Sequence, residues 1–249
     1  MSNLLSQNGK KSVYVEGNKL TKVFDSDFPK DEVFHEAFVN TRIENIEGLN
    51  VPKVLGITMD SEGRFGIEKE YIPGKTLLEL MEENPGKIDE YIDQMVDLQM
   101  EVFKKRAPML TRMRDKLTFQ INGLNTIDAG ARYELLTRLN SMPKHFKLCH
   151  GDFRPSNIIV GEDGKLYLID WVHATQGNAS GDVARTYLTL YLKDPEIAKK
   201  YYNNFCSKTK TDVEYIKKWL PIIAAANLTK NRPEENELLE SWLNFSDLM

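Results

Sequence analysis

The stretch from His150 to Asp170, HGDFRPSNIIVGEDGKLYLID, constrains this chain more than any other. Within it Asp163-Gly164 separates two apolar, strand-forming runs, and Asp-Gly in that setting is a strong hairpin signal. A two-residue type I′ turn there sets Glu162 against Lys165, Ile158 against Ile169 and Asn157 against Asp170. Directly opposed residues of an antiparallel pair hold their β-carbons about 5 Å apart on one face. A carboxamide oxygen and a carboxylate so placed can share a hard cation, and Mg²⁺ suits them because it takes oxygen donors and is held by few protein ligands. Asn157 and Asp170 are therefore the expected metal ligands. Just upstream, Asp152 and His150 add a candidate proton acceptor.

Composition narrows the partners. A chain of 249 residues can form one larger domain or two unequal lobes. Its 33 Lys and Arg against 37 Asp and Glu leave a net charge of −4, too mild to call for a nucleic acid or a membrane surface. The leading MSNLLSQNGKKS lacks the apolar run of a secretory signal, and no later run approaches the roughly 18 apolar residues of a membrane span, so a cytoplasmic location is expected. Cys149 and Cys206 are too few and too far apart for a disulfide framework or a zinc site and read as reduced thiols. Between 104 and 116 lie Lys104, Lys105, Arg106, Arg112, Arg114 and Lys116; without interleaved aromatics they read as a solvated helix end rather than an RNA-binding surface.

Along the chain, SVYVE (12–16) and KLTKVF (19–24), joined by Gly17-Asn18, form a second expected hairpin. Alternation there points Leu20 and Lys22 to one face. The polar stretch before it, Ser6 to Lys11, reads as a loop whose Gly9 could approach phosphates through backbone N–H groups. Residues 29–45 are expected to be helical with Phe34, Ala37, Phe38 and Thr41 buried and Glu36 at the edge of that stripe, within reach of Lys22. Strand-like runs at 53–59 and 64–72 stop at Pro73-Gly74, where composition turns helical, so a hinge is expected at about 70–74 between a lobe of residues 1–72 and one of residues 73–249. Gly74-Lys75-Thr76 imitates the end of a P-loop, but Lys69 stands where its first glycine is required. Helices are expected over 77–84, 88–106, 131–140, 195–206, 212–228 and 233–245.

Three blocks, His150-Gly151-Asp152-Phe153-Arg154-Pro155-Ser156-Asn157, then Leu168-Ile169-Asp170-Trp171, then Gly181-Asp182-Val183-Ala184-Arg185, together resemble the aminoglycoside phosphotransferase and choline kinase group of small-molecule kinases. Lys22, Glu36 and Glu70-Tyr71-Ile72-Pro73-Gly74 extend the resemblance over nearly the whole chain. It implies an α+β, protein-kinase-like bilobal fold: a small β-rich N-terminal lobe that binds nucleotide and a larger, mainly helical C-terminal lobe that carries catalysis and the acceptor. It implies transfer of the γ-phosphate of ATP, or GTP, to a hydroxyl of a small molecule, with Mg²⁺ on Asn157 and Asp170. Lys22, held by Glu36, contacts the α and β phosphates; Leu20 covers the adenine, and backbone groups of Glu70, Tyr71 and Ile72 meet its edge. Asp152 accepts the hydroxyl proton, His150 orients the loop, Asp182 braces it, and Arg154 contacts a phosphate, a substrate carboxylate or a local acid.

The sequence departs from the group in its single loop glycine, Gly9, and in Lys69 beside the hinge, which leaves ATP and GTP both open. A polycationic aminoglycoside calls for an acidic cleft, yet the segment from Asp194 onward carries nine acidic against eight basic residues. Trp219, Trp242, Tyr215 and Phe245 could cage a quaternary amine, although their helical spacing reads as core. The alternative to an enzyme is a pseudokinase, a nucleotide-binding sensor or scaffold that has lost transfer.

Overall fold

Alternating runs form strands and 3.6-period runs form helices, and the computed structural model describes them over residues 3–243. In chain order they are β1 (Asn3–Asn8), β2 (Lys11–Glu16), β3 (Lys19–Phe24), α1 (Lys30–Ile43), β4 (Val54–Met59), β5 (Phe65–Glu70), β6 (Gly74–Thr76) and α2 (Leu77–Glu83). There follow α3 (Ile88–Phe103), α4 (Met113–Asn122), α5 (Ala129–Ser141), β7 (Lys147–Cys149), β8 (Ile158–Gly161), β9 (Leu166–Leu168) and β10 (Thr175–Gly177). The remainder is helical: α6 (Ala179–Tyr191), α7 (Pro195–Thr209), α8 (Val213–Lys217), α9 (Leu220–Leu228) and α10 (Pro233–Ser241). The chain divides into two compact units, one of Met1–Asn84 with Pro155–His173, the other of Pro85–Arg154 with Ala174–Met249.

The first unit is built on an antiparallel five-stranded sheet in the order β1-β2-β3-β5-β4. Phe24, Val33, Ala37 and Ile67 are its buried core between sheet and α1. The expected loop at 6–11 is instead the end of β1 and a tight turn into β2, with Asn8 paired to Lys11 and Gly9 at the tip. Helix α1 is rotated from expectation. Val33, Glu36, Ala37 and Asn40 face inward, while Phe34 and Phe38 are exposed and line an apolar groove with Leu55 and Ile57 of β4. The polar residues win the inner face because the sheet offers them partners there, which an apolar count cannot register.

The same unit contains the three-stranded sheet β6-β8-β9, and here the register differs from the sequence expectation. Ile158 pairs with Leu168, not Ile169, and the Ile169 N–H donates to the Asn157 carbonyl at 2.9 Å. A type I′ turn needs positive φ at both central residues, and of Asp163 and Gly164 only Gly164 has it, at 78°. The loop is therefore Glu162-Asp163-Gly164, closed by the Gly161 N–H on the Lys165 carbonyl. Asp163 keeps an ordinary conformation because its carboxylate accepts from the Lys165 N–H at 3.1 Å and the Tyr167 hydroxyl at 3.0 Å. Asn157 and Asp170 are thus not cross-strand partners.

In β6, Gly74 faces Gly161 so closely that a Cβ on Gly74 would lie 2.2 Å from the Val160 carbonyl oxygen. Gly74→Ala is expected to force these strands apart and destabilise the protein by about 2 kcal/mol or more, read as a lowered melting temperature. A Gly86→Ala control, with open space around its Cβ, leaves the melting temperature unchanged.

The second unit is mainly helical, with Met95, Leu117, Ile121, Leu139, Val183, Leu188 and Tyr201 in its core. Two helices here escaped the sequence reading: α4, which uses part of the basic run, and α6, which begins at the Asn178 cap. The expected single helix at 212–228 is two, parted at Lys218-Trp219 just before Pro221, where proline cannot continue the helical hydrogen bonding. Trp219 and Trp242 are buried, Tyr215 accepts a hydrogen bond from Asn178, and Phe245 lies outside the described residues. Cys149 and Cys206 are free thiols, and burial pushes the Cys149 thiol well up.

Candidate functional site

In the first unit, β3 lies inside the sheet, where Lys22 pairs with Val13 on one side and Ile67 on the other. Its Nζ donates to both oxygens of the Glu36 carboxylate, at 2.8 and 2.9 Å. Glu36 is 1% exposed and gathers two further cations, Lys69 at 3.5 Å and Lys11 at 3.9 Å. Three strands thus bring three ammonium groups to one buried carboxylate. Lys69, the departure beside the expected hinge, is turned inward, where its Nζ donates to Asn40 Oδ1 at 3.1 Å. A buried ion pair is poor evidence of stabilisation, since desolvation offsets most of the attraction; its value lies in holding Lys22 extended.

The electrostatics divide these lysines. Burial works against the Lys22 charge, but Asp170 and Glu36 outweigh it and hold the ammonium above its ordinary range. Lys69 and Lys11 are both pushed down, by burial first; for Lys11 repulsion from Lys22 comes next. Asp170 lies 3.5 Å from Lys22 Nζ through Oδ1. What aims it there is a left-handed backbone, φ 61°, at the end of the hairpin, a conformation Asp tolerates better than most residues. Asn157 is buried in the turn that precedes β8, bonded through its carbonyl to the residue before Asp170.

Among the described residues no three His, Cys, Asp or Glu cluster as a metal cage. The Asp170 carboxylate and the Asn157 carboxamide, from residues that flank the Ile169 N–H to Asn157 carbonyl bond, fit Mg²⁺ nonetheless, because that ion takes most of its shell from water and phosphate oxygens. Leu20 lies on β3 opposite Val15 and Lys69. At the end of β5, the Glu70 N–H donates to the Lys53 carbonyl and the Tyr71 N–H to the Asn18 carbonyl. These two N–H groups are occupied within the unit, which narrows the expected purine contacts to carbonyls and to Ile72.

In the second unit, β7 carries the chain into the His150–Arg154 loop. Asp182, in the first turn of α6, is 1% exposed; its carboxylate accepts from the Gly151 N–H at 2.8 Å and the His150 N–H at 3.2 Å. Burial pushes the Asp182 carboxyl up, against the pull of His150 and these two N–H groups. His150 is fully buried, and its Nδ1 accepts from the Asp152 N–H at 3.2 Å. Arg154 Nε lies 3.1 Å from Asp152 Oδ2, so the local acid it meets is Asp152 itself.

The sequence reading missed a second group of charges in this unit. Arg185 on α6 donates to Asn227 Oδ1 of α9 at 3.2 Å. Gln120, one turn beyond Lys116 on α4, donates to Thr229 Oγ1 at 3.5 Å, next to Lys230. Lys116, Arg185 and Lys230 come from three distant segments, so no spacing in the sequence announces them together; the signals were Lys116 at the end of the basic run and Arg185 at the end of the third motif block.

Residues 30–209 match the phosphotransferase enzyme family. A search of curated proteins found no match. Among solved structures, a thermostable mutant of aminoglycoside phosphotransferase APH(4)-Ia in its apo form aligns with a TM-score of 0.71 and 17% identity, over 98% of this chain and 91% of that one. Its ternary complex with AMP-PNP and hygromycin B aligns at 0.71 and 16%, over 98% and 90%. The GDP and kanamycin complex of APH(2")-IIia aligns at 0.63 and 15%, over 97% and 92%. These similarities establish the fold, an α+β fold with a β-sheet N-terminal region and a helical C-terminal part. With the family match covering most of its length, the chain belongs to the phosphotransferase enzyme family.

Proposed function

We propose that this protein transfers the γ-phosphate of ATP or GTP to a hydroxyl of a small molecule, in the cytoplasm. The observation that carries the reading is the buried Glu36 carboxylate gripping Lys22 through both oxygens, with Asp170 3.5 Å from the same ammonium. A positioned cation beside a metal-competent carboxylate is what a nucleoside triphosphate requires. In this reading residues 1–72 bind the nucleotide, residues 73–249 supply catalysis and the acceptor site, and 70–74 is the hinge between them. Lys22 holds the α and β phosphates, Leu20 covers the purine, Ile72 and the carbonyls of Glu70 and Tyr71 meet its edge, and Gly9 at the β1–β2 turn offers backbone to the phosphates. Asn157 and Asp170 hold Mg²⁺, which when bound neutralises phosphate charge. Asp152 accepts the proton of the acceptor hydroxyl; His150 and Asp182 fix its loop, and Arg154 fixes its carboxylate. The nucleotide complexes of the similar structures support this reading.

The test has two arms. ATP or GTP with Mg²⁺ is expected to raise the melting temperature, and phosphate transfer is expected to some member of a panel of amino-alcohols, sugars, hydroxy acids and aminoglycosides. Binding without transfer to any acceptor in cell extract would favour the pseudokinase sensor instead.

A further inference from the structure

The carboxylate that braces the His150–Arg154 loop is itself held from behind. Asp182 Oδ1 accepts from the Gly151 N–H at 2.8 Å and Oδ2 from the His150 N–H at 3.2 Å, and Oδ2 is also met by Gln99 Nε2 of α3 at 3.5 Å. The same Nε2 donates to Thr186 Oγ1, one turn along α6, at 3.3 Å. The Gln99 carbonyl oxygen in turn accepts from the Tyr201 hydroxyl of α7 at 2.5 Å. Gln99, Thr186 and Tyr201 are as buried as Asp182, each 1% exposed or less. Burial pushes the Tyr201 hydroxyl well up, so it stays a neutral phenol with a proton to give. That proton fixes the amide: reversed, Gln99 would set its carbonyl oxygen against the Asp182 carboxylate and its NH₂ against the Tyr201 proton.

Packing alone does not call for this chain of polar groups. Helices α3, α6 and α7 bury Met95, Val183, Leu188 and Ala198, and apolar residues of the same volume in place of Gln99, Thr186 and Tyr201 would spare the cost of desolvating an amide and two hydroxyls. The chain ends instead on the carboxylate that holds the loop carrying Asp152. A carboxylate fixed only by two loop N–H groups can turn with that loop; a third donor from α3, itself held from α7, ties it to the helical frame. Resting on the phosphotransfer reading above, we propose that Gln99 and Tyr201 are positioning residues for transfer: Tyr201 orients the Gln99 amide, Gln99 fixes the Asp182 carboxylate, and Asp182 holds the backbone that presents the Asp152 carboxylate to the acceptor hydroxyl.

The test reads the loop itself as well as turnover. His150-Gly151 is the only His-Gly pair in the sequence, so carbonyl-¹³C histidine with ¹⁵N-glycine labelling singles out the Gly151 N–H in the full chain. Gln99→Met is expected to raise the hydrogen-exchange rate of that proton by about tenfold relative to the amides of α9, the scale of one charged hydrogen bond. It is expected to lower kcat by a similar factor while the nucleotide KM stays within about twofold. Tyr201→Phe, which removes a single oxygen, is expected to move both quantities in the same direction by about threefold. It adds nothing in the double variant, because it acts through Gln99. Ile121→Val, buried in α4 of the same unit, is the control: it lowers the melting temperature by leaving a small cavity, with the Gly151 exchange ratio and kcat unchanged. The proposal is overturned if the Gly151 proton exchanges as in wild type in both variants, if it loosens with kcat unchanged, if the two substitutions add, or if Ile121→Val moves the ratio as far. Should Gln99→Met not fold, Tyr201→Phe alone decides. If no acceptor is phosphorylated, the exchange ratio still decides whether Gln99 and Tyr201 hold the loop, and the kinase reading alone is lost.

Discussion

Asp152→Asn is expected to lower kcat for phosphate transfer by about a thousandfold, within the span of general-base contributions, while nucleotide affinity changes by less than about threefold. The substitution keeps the size of the side chain and one acceptor oxygen but removes the charge and the capacity to take a proton. The transition state of phosphoryl transfer is loose, so the nucleophile gives up its proton late, and most of the remaining catalysis comes from positioning and electrostatics. A residual rate is therefore expected rather than complete loss. Two features confine the damage. The Asp152 N–H, not its carboxylate, meets His150 Nδ1, so the loop contact survives. The loop is also held by Asp182 through the Gly151 and His150 N–H groups, which the substitution does not touch. Arg154 does lose its carboxylate partner, and Arg154→Ala serves as the control: if both variants fall equally, the 3.1 Å ion pair rather than proton transfer explains the loss. Transfer rates are measured at saturating nucleotide with the best acceptor found. A loss of less than about tenfold overturns Asp152 as the base.

How much of this could be read from the chain depended on how local the determinants were. The pairing of Lys22 with Glu36 was legible because strand alternation fixes the face of Lys22 and Glu36 stood within its reach at the edge of the expected helical stripe. The rotation of α1 was not, because an apolar count buries Phe34 and Phe38, whereas the structure buries Glu36 and Asn40 against lysines from β2, β3 and β5. Those partners lie far away in sequence. The central hairpin was legible from Asp163-Gly164, but its loop length was not. That choice turned on Asp163, whose carboxylate gains the Lys165 N–H and the Tyr167 hydroxyl by staying out of the left-handed region. One residue of slip removed the cross-strand argument for Asn157 and Asp170, and a left-handed Asp170 supplied a different one. The contacts of Arg185 with Asn227 and of Gln120 with Thr229 depend wholly on how α4, α6 and α9 pack.

Asp170→Asn is expected to abolish the Mg²⁺ dependence of nucleotide binding: wild type binds ATP at least about tenfold more tightly with Mg²⁺ than without it, and the variant binds equally in both conditions. Asparagine is the better substitution than alanine here, because residue 170 has φ 61° and asparagine shares the tolerance of aspartate for that region, whereas alanine adds backbone strain to the loss of charge. The variant also removes the carboxylate 3.5 Å from Lys22. That carboxylate is one of two that hold the lysine above its ordinary range against burial. Its removal moves the Lys22 pKa down, and Glu36 is then the carboxylate that opposes burial. Lys22→Ala separates the two roles. On the proposed function, loss of the lysine weakens ATP by a similar factor with and without Mg²⁺, since its proposed contact is to phosphate, while loss of the Asp170 charge weakens ATP only when Mg²⁺ is present. Isothermal titration of both variants, with and without the metal, gives four affinities. An unchanged metal dependence in Asp170→Asn removes Asp170 from the metal site, and a metal-dependent loss in Lys22→Ala shows instead that the lysine and the metal act as one unit.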